Sequence, residues 1–282
     1  MYKFLLSMLL LISCLVGCSG ESKMVEKTSA PSAKNINLIA RAKAIHASAL
    51  TLDAHADIEI PGKPSSYVGR DGLSKVAPSK MHAGGLDAVV MAVAVGPMPR
   101  NTAGYAAAAK LAQIKLEAVK MLAADKTNNS VIVLSTDDLI TAHKEGKSAL
   151  LLGFQNALIL GTEIDGINDL YSSGVRVFAL THMGHNDFAD SSRTLFDGDT
   201  GRREPDAEHG GLSTLGKAAI KKINALGGIM DISQLSSQAA LQAIELSITP
   251  VIASHSNVRA LTDVSRNLSD EEIDRIGETG GV

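Results

Sequence analysis

The chain has 282 residues, a formal net charge of −3 at pH 7 and 45% hydrophobic residues, and it contains no tryptophan. A nearly balanced charge argues against a nucleic-acid partner, because surfaces that bind nucleic acid are strongly basic. The only two cysteines are Cys14 and Cys18, close to the N-terminus. Cysteine-rich zinc sites, internal disulfides and cysteine nucleophiles are therefore excluded for the rest of the chain.

The first residues have the pattern of an export signal. Lys3 precedes an apolar run over residues 4–16, which is too short to span a bilayer comfortably. Leu15-Val16-Gly17-Cys18 then has the form of a lipobox, whose cysteine is acylated and becomes the mature N-terminus. The pattern predicts a lipoprotein signal peptide over residues 1–18 with lipidation at Cys18, and a membrane-anchored protein on the periplasmic face of the cell envelope, at the outer membrane. A plain secretory signal or an unprocessed anchor helix is the alternative.

A polar segment follows the leader. Residues 19–37 are rich in Ser, Lys, Ala and Pro and contain almost no large apolar side chains. Such a composition predicts a flexible tether. Residues 38–282 are then expected to form the folded part, which is long enough for one α/β barrel or two small domains.

Strand-like apolar runs alternate with helical stretches along the folded part. The predicted core strands are residues 50–57, 86–95, 149–155, 175–182, 228–233 and 250–256, with a short extra strand at 130–134. Helices are predicted at residues 103–124, 136–143, 166–173, 213–226 and 236–246. Ser213 and Ser269 are predicted helix N-caps, the second in a capping box with Glu272. Buried strands that alternate with helices predict a parallel sheet with helical crossovers.

The fold class expected from this pattern is α/β, and a TIM-type (β/α)₈ barrel is favoured over an open sheet. No glycine-rich phosphate loop follows the first strand, which weighs against a nucleotide-binding sheet. Polar residues instead recur at the C-terminal ends of strands, where barrels place catalytic groups. Six core strands are recognisable, and residues 280–282 resemble the start of a seventh. The barrel is therefore expected to be incomplete, truncated after about six to seven strands.

Histidines stand at the ends of three predicted strands. His55-Ala56-Asp57 ends the first strand, and alternate residues of a strand point the same way. An imidazole and a carboxylate placed together could chelate a borderline metal such as Zn²⁺. His182 ends the fourth core strand and His255 the sixth. Each one alone could be a buried structural histidine, but together they indicate a shared metal or substrate site.

Arg266 follows the loop after the last predicted strand. A guanidinium group near the barrel mouth could bind a substrate carboxylate in a bidentate manner, and a surface salt bridge is the alternative. Four other histidines are interpreted as structural. His46 and His143 are expected on helix surfaces, His82 in the turn before the second strand, and His209 in a loop that leads into a helix.

Several of these segments together resemble the membrane (renal) dipeptidase family of zinc metallopeptidases. The matching motifs are His55-Ala56-Asp57, residues 84–87, residues 180–190, residues 211–233, residues 251–256 and Arg266-Asn267. They run in the same order over residues 49–282. The resemblance implies a TIM-type barrel of the metal-dependent hydrolase kind. It further implies a hydrolase that cleaves dipeptides or related small amides with a metal-activated water and two zinc ions.

The resemblance also implies roles for individual residues. His55 and Asp57 would hold one zinc ion, and His255 would belong to the second site. His182 would be catalytic and would contact the substrate or stabilise its developing oxyanion, while Arg266 would bind the C-terminal carboxylate of the dipeptide. The implied partners are a small dipeptide-like substrate and the membrane, reached through the lipid anchor; a homodimer stays open.

Two positions depart from the family pattern. Gln155 stands where the family has a bridging glutamate, and Gln234 stands where it has a histidine. A neutral amide cannot bridge two cations as a carboxylate does, and an amide oxygen is a poorer zinc ligand than imidazole. The family's last-strand aspartate is expected beyond Val282. Zinc is thus the expected cofactor, with one ion or two, and the second site is in question.

Three functions are compatible with these residues. The first is a membrane-dipeptidase-like metallohydrolase. The second is a family descendant with a degraded metal site that acts in the periplasmic maturation of a peptide-derived metabolite. The third is a non-catalytic binding protein that keeps the carboxylate-binding pocket. The glutamines favour the second and third, whereas the retained histidines and Arg266 favour an activity.

Overall fold

The structure is a computed structural model that describes residues 33–60, 62–198 and 200–282. The predicted signal peptide, the lipidation site Cys18 and the predicted tether up to residue 32 lie outside the described residues. The first helix, α1 (Ala33–Ser48), includes residues 33–37, which the sequence assigned to the tether. The chain divides into two units at Ala44, and the second, Ile45–Val282, contains all the strands named below.

The strands of the second unit confirm the predicted fold class. They are β1 (Leu52–Asp57), β2 (Ala88–Ala94), β3 (Ser130–Ile132), β4 (Ser148–Gln155), β5 (Val175–Ala179), β6 (Phe196–Asp197), β7 (Arg202–Arg203) and β8 (Ile229–Asp231). Five of them form a parallel sheet in the order β1-β2-β4-β5-β8, and β3 pairs with the first half of β4. β6 and β7 form a separate antiparallel pair. The parallel sheet is a curled half-barrel, as a truncated TIM-type barrel requires.

Helices follow the core strands much as the sequence predicts. They are α2 (Pro78–Gly84), α3 (Thr102–Ala124), α4 (Thr136–Lys144), α5 (Gly166–Ser172), α6 (Thr214–Leu226), α7 (Ser237–Leu246) and α8 (Asp270–Glu278). Short 3₁₀ turns occupy Lys126–Asn128 and Ala157–Leu160. Ser213 caps α6, and Ser269 forms the predicted capping box with Glu272 at the start of α8. Within the described residues, none of the helices combines the length with the apolar character needed to cross a membrane.

The sixth predicted core strand is shorter than expected. It forms one isolated parallel bridge, in which Ile252 lies opposite Asp231. After that bridge the backbone N–H of Ser254 donates to the Asp231 carboxylate at 3.2 Å and not to the next strand position, so the ladder stops. On its other side, Ala253 N–H donates to the carbonyl oxygen of Val282 at 2.8 Å. The last residue of the chain therefore lies beside this segment in the way a further strand would.

One glycine allows α6 to pack directly on the loop that follows β5. A Cβ atom added at Gly216 would lie 2.1 Å from the carbonyl oxygen of Phe188. Phe188 is fully buried, and Ser213 N–H donates to the same carbonyl at 3.0 Å. The contact holds the loop, which carries several site residues, against a rigid helix.

We expect Gly216→Ala to lower the free energy of unfolding by about 2 kcal/mol, because a backbone oxygen cannot yield as a flexible side chain can. Gly277→Ala is the matched control, since an added Cβ in α8 would have no atom within 4 Å. It should leave stability unchanged or raise it by up to about 1 kcal/mol. Urea denaturation of both variants measures the difference. Equal stability of the two variants would show that helix and loop do not pack this closely.

Candidate metal and substrate site

The polar residues that could take part in catalysis or binding lie at the carboxyl edge of the parallel sheet. His55 lies in the second half of β1, Gln155 ends β4 and Asp231 ends β8. His182 is the third residue after β5, and Gln234 is the third residue after β8. This edge is the side of a barrel on which active sites are built.

His55, Asp231 and His255 form a cluster that could hold one metal ion. Each offers a ligand atom, and these atoms all lie within 4.8 Å of one another. The two imidazole rings are stacked, with centroids 3.8 Å apart and an interplanar angle of 19°. Two imidazoles and one carboxylate are a donor set that catalytic zinc sites use, with a fourth position open for water. The side chains therefore fit one zinc-type cation.

Asp231 is the residue of this cluster for which no role was predicted from the sequence. Its carboxylate is 1% exposed. One oxygen accepts hydrogen bonds from Ser233 N–H at 2.9 Å and Ser254 N–H at 3.2 Å, and the other accepts from Ser254 Oγ at 2.5 Å. The Ser254 hydroxyl also lies 2.7 Å from Nδ1 of His255. An acid inside the apolar run of β8 was the available signal, because a buried charge requires partners.

The amide groups of Gln155 and Gln234 both face the other ring nitrogen of His255. Their Nε2 atoms lie 3.2 Å and 3.0 Å from His255 Nε2. Amide nitrogen only donates, so His255 Nε2 carries the lone pair and Nδ1 carries the proton. The Nδ1 proton is then donated to Ser254 Oγ, whose own proton goes to Asp231. The hydrogen-bond network thus defines a single tautomer of His255.

Burial favours the neutral form of the three histidines at this edge. It lowers the pKa of His255 to about 3, with the charges of His55 and Arg266 acting in the same direction. Burial also lowers the pKa of His55, against the opposing charge of Asp231, and lowers the pKa of His182. Neutral imidazole is the form that binds metal ions.

Asp57, which the sequence pairs with His55, lies beside the three-residue cluster and is not one of its members. It accepts a hydrogen bond from the hydroxyl of Tyr67 and thereby raises the pKa of that phenol. Burial lowers the pKa of Lys115 on α3, and the charge of Asp57 opposes that shift. Asp57 also acts electrostatically on His55 and His182. It therefore borders the site.

His182 and Arg266 contribute buried nitrogen atoms that have no hydrogen-bond partner among the described residues. His182 Nδ1 and Arg266 Nη1 are both inaccessible to solvent and make no hydrogen bond. The charge of Arg266 contributes to the lowered pKa of His182 and of His255. Five residues predicted from the sequence thus lie at one edge of the sheet: His55, Asp57, His182, His255 and Arg266. Unpaired buried polar groups are rare in folded proteins and are expected to find partners in a bound ligand.

Buried polar side chains fix the loop after β5. Asp190 is completely buried, and its carboxylate accepts backbone hydrogen bonds from Glu208 at 2.8 Å, His209 at 3.1 Å and Gly211 at 2.8 Å. His209 also bonds through Nε2 to the carbonyl oxygen of Asn186 at 2.8 Å. His209 therefore shapes this loop, as the sequence predicted.

Two other histidines are also used in structural contacts. His185 accepts a hydrogen bond from Ser191 N–H at Nδ1 and contacts the carbonyl oxygen of Pro205 at 2.8 Å through Nε2. His143 on α4 contacts the carboxylate of Asp87 at 2.9 Å, which ties α4 to the start of β2. Neither imidazole faces the metal-type cluster.

A curved parallel sheet with imidazoles and a buried carboxylate at its carboxyl edge is typical of the metal-dependent hydrolase barrels. The protein-family model described as "Membrane dipeptidase (Peptidase family M19)" matches residues 39–282. The chain therefore belongs to the membrane dipeptidase family, whose members are metal-dependent peptidases.

Relatives of known name are similar over parts of their length. The chain is 32% identical over 169 residues to an uncharacterized dipeptidase of Schizosaccharomyces pombe, which covers 60% of this chain and 39% of that protein. It is 32% identical over 146 residues to dipeptidase tcpJ of Claviceps purpurea, covering 52% and 32%. The crystal structure of the probable dipeptidase PvdM from Pseudomonas aeruginosa superposes with a TM-score of 0.79 at 33% identity, covering 88% of this chain and 62% of that one. The match thus spans less than half the length of the two curated dipeptidases and 62% of the PvdM chain.

We expect Asp190→Asn to lower the free energy of unfolding at pH 7 by about 2 kcal/mol, because charge-assisted bonds to backbone N–H groups are lost. Burial raises the pKa of Asp190, but the bonds from Gly211, Glu208 and His209 outweigh it and the net shift is downward. The contribution of Asp190 is therefore present above its unfolded pKa of about 3.9 and is lost as the pH falls through its lower folded pKa.

Urea denaturation between pH 7 and pH 3 measures this effect. The difference between wild type and Asp190→Asn should shrink at the acid end. Asp274→Asn, an exposed position on α8, is the matched control and should leave stability unchanged throughout. Equal stability of wild type and Asp190→Asn at pH 7 would contradict the assigned role.

Proposed function

We propose that the protein is a metal-dependent hydrolase of dipeptides or related small amides, with a site for one cation. The cluster of His55, Asp231 and His255 at the carboxyl edge carries this proposal. Zinc is the expected ion, because imidazole and carboxylate ligands suit it. When bound, it would polarise the amide carbonyl and activate the attacking water.

The surrounding residues would bind the substrate, stabilise developing charge and orient the metal ligands. Arg266 would bind the carboxylate of the substrate, since its buried Nη1 has no partner in the described structure. His182 would stabilise negative charge that develops on the amide oxygen, which requires a proton on the ring nitrogen facing the substrate. Asp231, acting through Ser254, would hold the ring of His255 in one orientation.

One cation is proposed instead of two because Gln155 and Gln234 are neutral. Both amides donate to His255 Nε2, and a neutral amide oxygen is a poorer zinc ligand than imidazole or carboxylate. A second cation would lack the carboxylate needed to bridge it to the first. A cation at His255 Nε2 would also have to displace these two hydrogen bonds.

That competition favours a second candidate, a non-catalytic protein that binds small carboxylates. In this case the network around His255 would replace the metal, while His182 and Arg266 would keep the binding pocket. A maturation enzyme for a peptide-derived metabolite would bind a larger substrate in the same pocket. In that case the zinc-loaded protein would cleave no simple dipeptide.

Elemental analysis of the purified protein, after zinc loading and removal of free ion, tests the proposal. We expect one zinc per chain and zinc-dependent release of amino acids from a dipeptide panel. His255→Ala should lose both, whereas His82→Ala, an exposed position on α2, should keep both. No bound zinc together with intact dipeptide binding would support the non-catalytic candidate. Two zinc ions per chain would contradict the single-cation site.

The matched gain-of-ligand variant sharpens this experiment. Gln155→Glu combined with Gln234→His restores the two donor types that the family pattern has at these positions. We expect its zinc content to rise from one ion to two. An unchanged content would show that the glutamines do not limit the number of ions.

We also propose that the protein is anchored to the cell envelope through a lipid on Cys18, on the periplasmic face. The apolar run followed by Leu15-Val16-Gly17-Cys18 supports this placement. In a bacterial host, Cys18→Ser should abolish labelling with a palmitate analogue and release the protein from the membrane fraction. Cys14→Ser should keep both the label and the membrane association. Labelling that survives Cys18→Ser would refute the assignment.

A further inference from the structure

Arg193 lies beside the site and has no role in the function proposed above. Its carbonyl oxygen accepts a hydrogen bond from Gly184 N–H at 2.8 Å, and its own N–H donates to Ser191 Oγ at 3.2 Å. The same serine hydroxyl donates to the carbonyl oxygen of His182 at 2.5 Å. These bonds fold the loop after β5 back on itself, so the backbone of Arg193 lies next to that of His182.

The loop is also attached to the end of β8. Ser192 N–H donates to the carbonyl oxygen of Gln234 at 2.9 Å, and Ser191 forms a bridge with Leu235. Gln234 has a φ of 68°, in the left-handed region that residues other than glycine rarely adopt. Such a conformation persists only where neighbouring contacts hold it. The loop backbone that carries Arg193 is thus held on two sides, by Gly184 and by the end of β8.

The side chain of Arg193 acts on two residues of the pocket through its charge. Burial and then the charge of Arg193 lower the pKa of Arg266, against the opposing charge of Asp231. Burial is also the main cause of the lowered pKa of His182, to which the charge of Arg193 contributes. Two guanidinium groups that repel each other near a buried, unpartnered Nη1 are stabilised when an anion binds between them.

We propose that Arg193 and Arg266 together bind two carboxylates at one end of the substrate, so that the site prefers peptides whose C-terminal residue is aspartate or glutamate. This rests on the proposed function, in which Arg266 binds the C-terminal carboxylate. Arg266 is half-buried and would take the main-chain carboxylate, whereas the exposed Arg193 would take the side-chain carboxylate. A peptide with a neutral C-terminal side chain would leave Arg193 without its anion.

Calorimetric titration with reduced-amide analogues of Ala-Glu and Ala-Gln tests this preference, because their CH₂–NH linkage cannot be hydrolysed. We expect the full-length, zinc-loaded protein to bind the Glu analogue about tenfold more tightly, as one charge-assisted contact provides. Arg193→Gln should remove this preference and leave the affinity for the Gln analogue unchanged. Arg193→Lys should keep part of it, and Arg202→Gln, an exposed arginine of β7, should keep all of it.

The outcomes separate this proposal from the function on which it rests. Equal affinity of wild type for the two analogues overturns the role of Arg193 and leaves the carboxylate role of Arg266 in place. Loss of both analogues in Arg193→Gln, with a normal thermal transition, also overturns it, because the residue would then shape the loop only. Failure of wild type to bind either analogue overturns the carboxylate role of Arg266 and this proposal together.

Discussion

The arrangement of the side chains at the carboxyl edge of the half-barrel depends on one buried carboxylate. Asp231 ends β8, is 1% exposed, and accepts hydrogen bonds from the backbone and hydroxyl of Ser254 as well as from Ser233. A charge buried without such partners would cost several kcal/mol, so these donors are a condition for its presence. Because Ser254 turns toward Asp231, the next residue, His255, is placed over His55. The orientation of the cluster therefore follows from this carboxylate.

Neutral side chains around His255 give the edge stability without a metal ion. Gln155 is 1% exposed and Gln234 is 6% exposed, and the amide nitrogen of each is hydrogen-bonded to the imidazole. A glutamate buried at the position of Gln155 would need a cation or another positive partner. The amides remove that need, and they do so by occupying the lone pair that a metal ion would use. The same amides thus stabilise the metal-free edge, and in the proposed single-cation site they would limit the number of bound ions.

Much of the fold could be predicted from the sequence, whereas the contacts within the site could not. The unbroken apolar run of β2 predicted a strand buried on both faces, and histidines at strand ends predicted the functional edge. The strand predicted over residues 250–256 was wrong in extent, because periodicity does not show that Asp231 competes for the N–H of Ser254. The meeting of Gln155 and Gln234 at one ring nitrogen depends on contacts between distant parts of the chain. The return of the Arg193 backbone toward His182 depends on hydrogen bonds within an irregular loop, which periodicity does not show.

The attachment of the loop after β5 explains how the side chain at position 234 can differ from the family pattern without loss of the pocket. The loop is bound to the backbone carbonyl of Gln234, through Ser192 N–H at 2.9 Å, and not to its side chain. The left-handed backbone is therefore held by the loop whichever side chain is present. A change of side chain at position 234 therefore leaves the backbone near His182 and Arg193 in place. Gln234 holds the loop through its backbone carbonyl and contacts His255 through its side chain, so either contact can change while the other is kept.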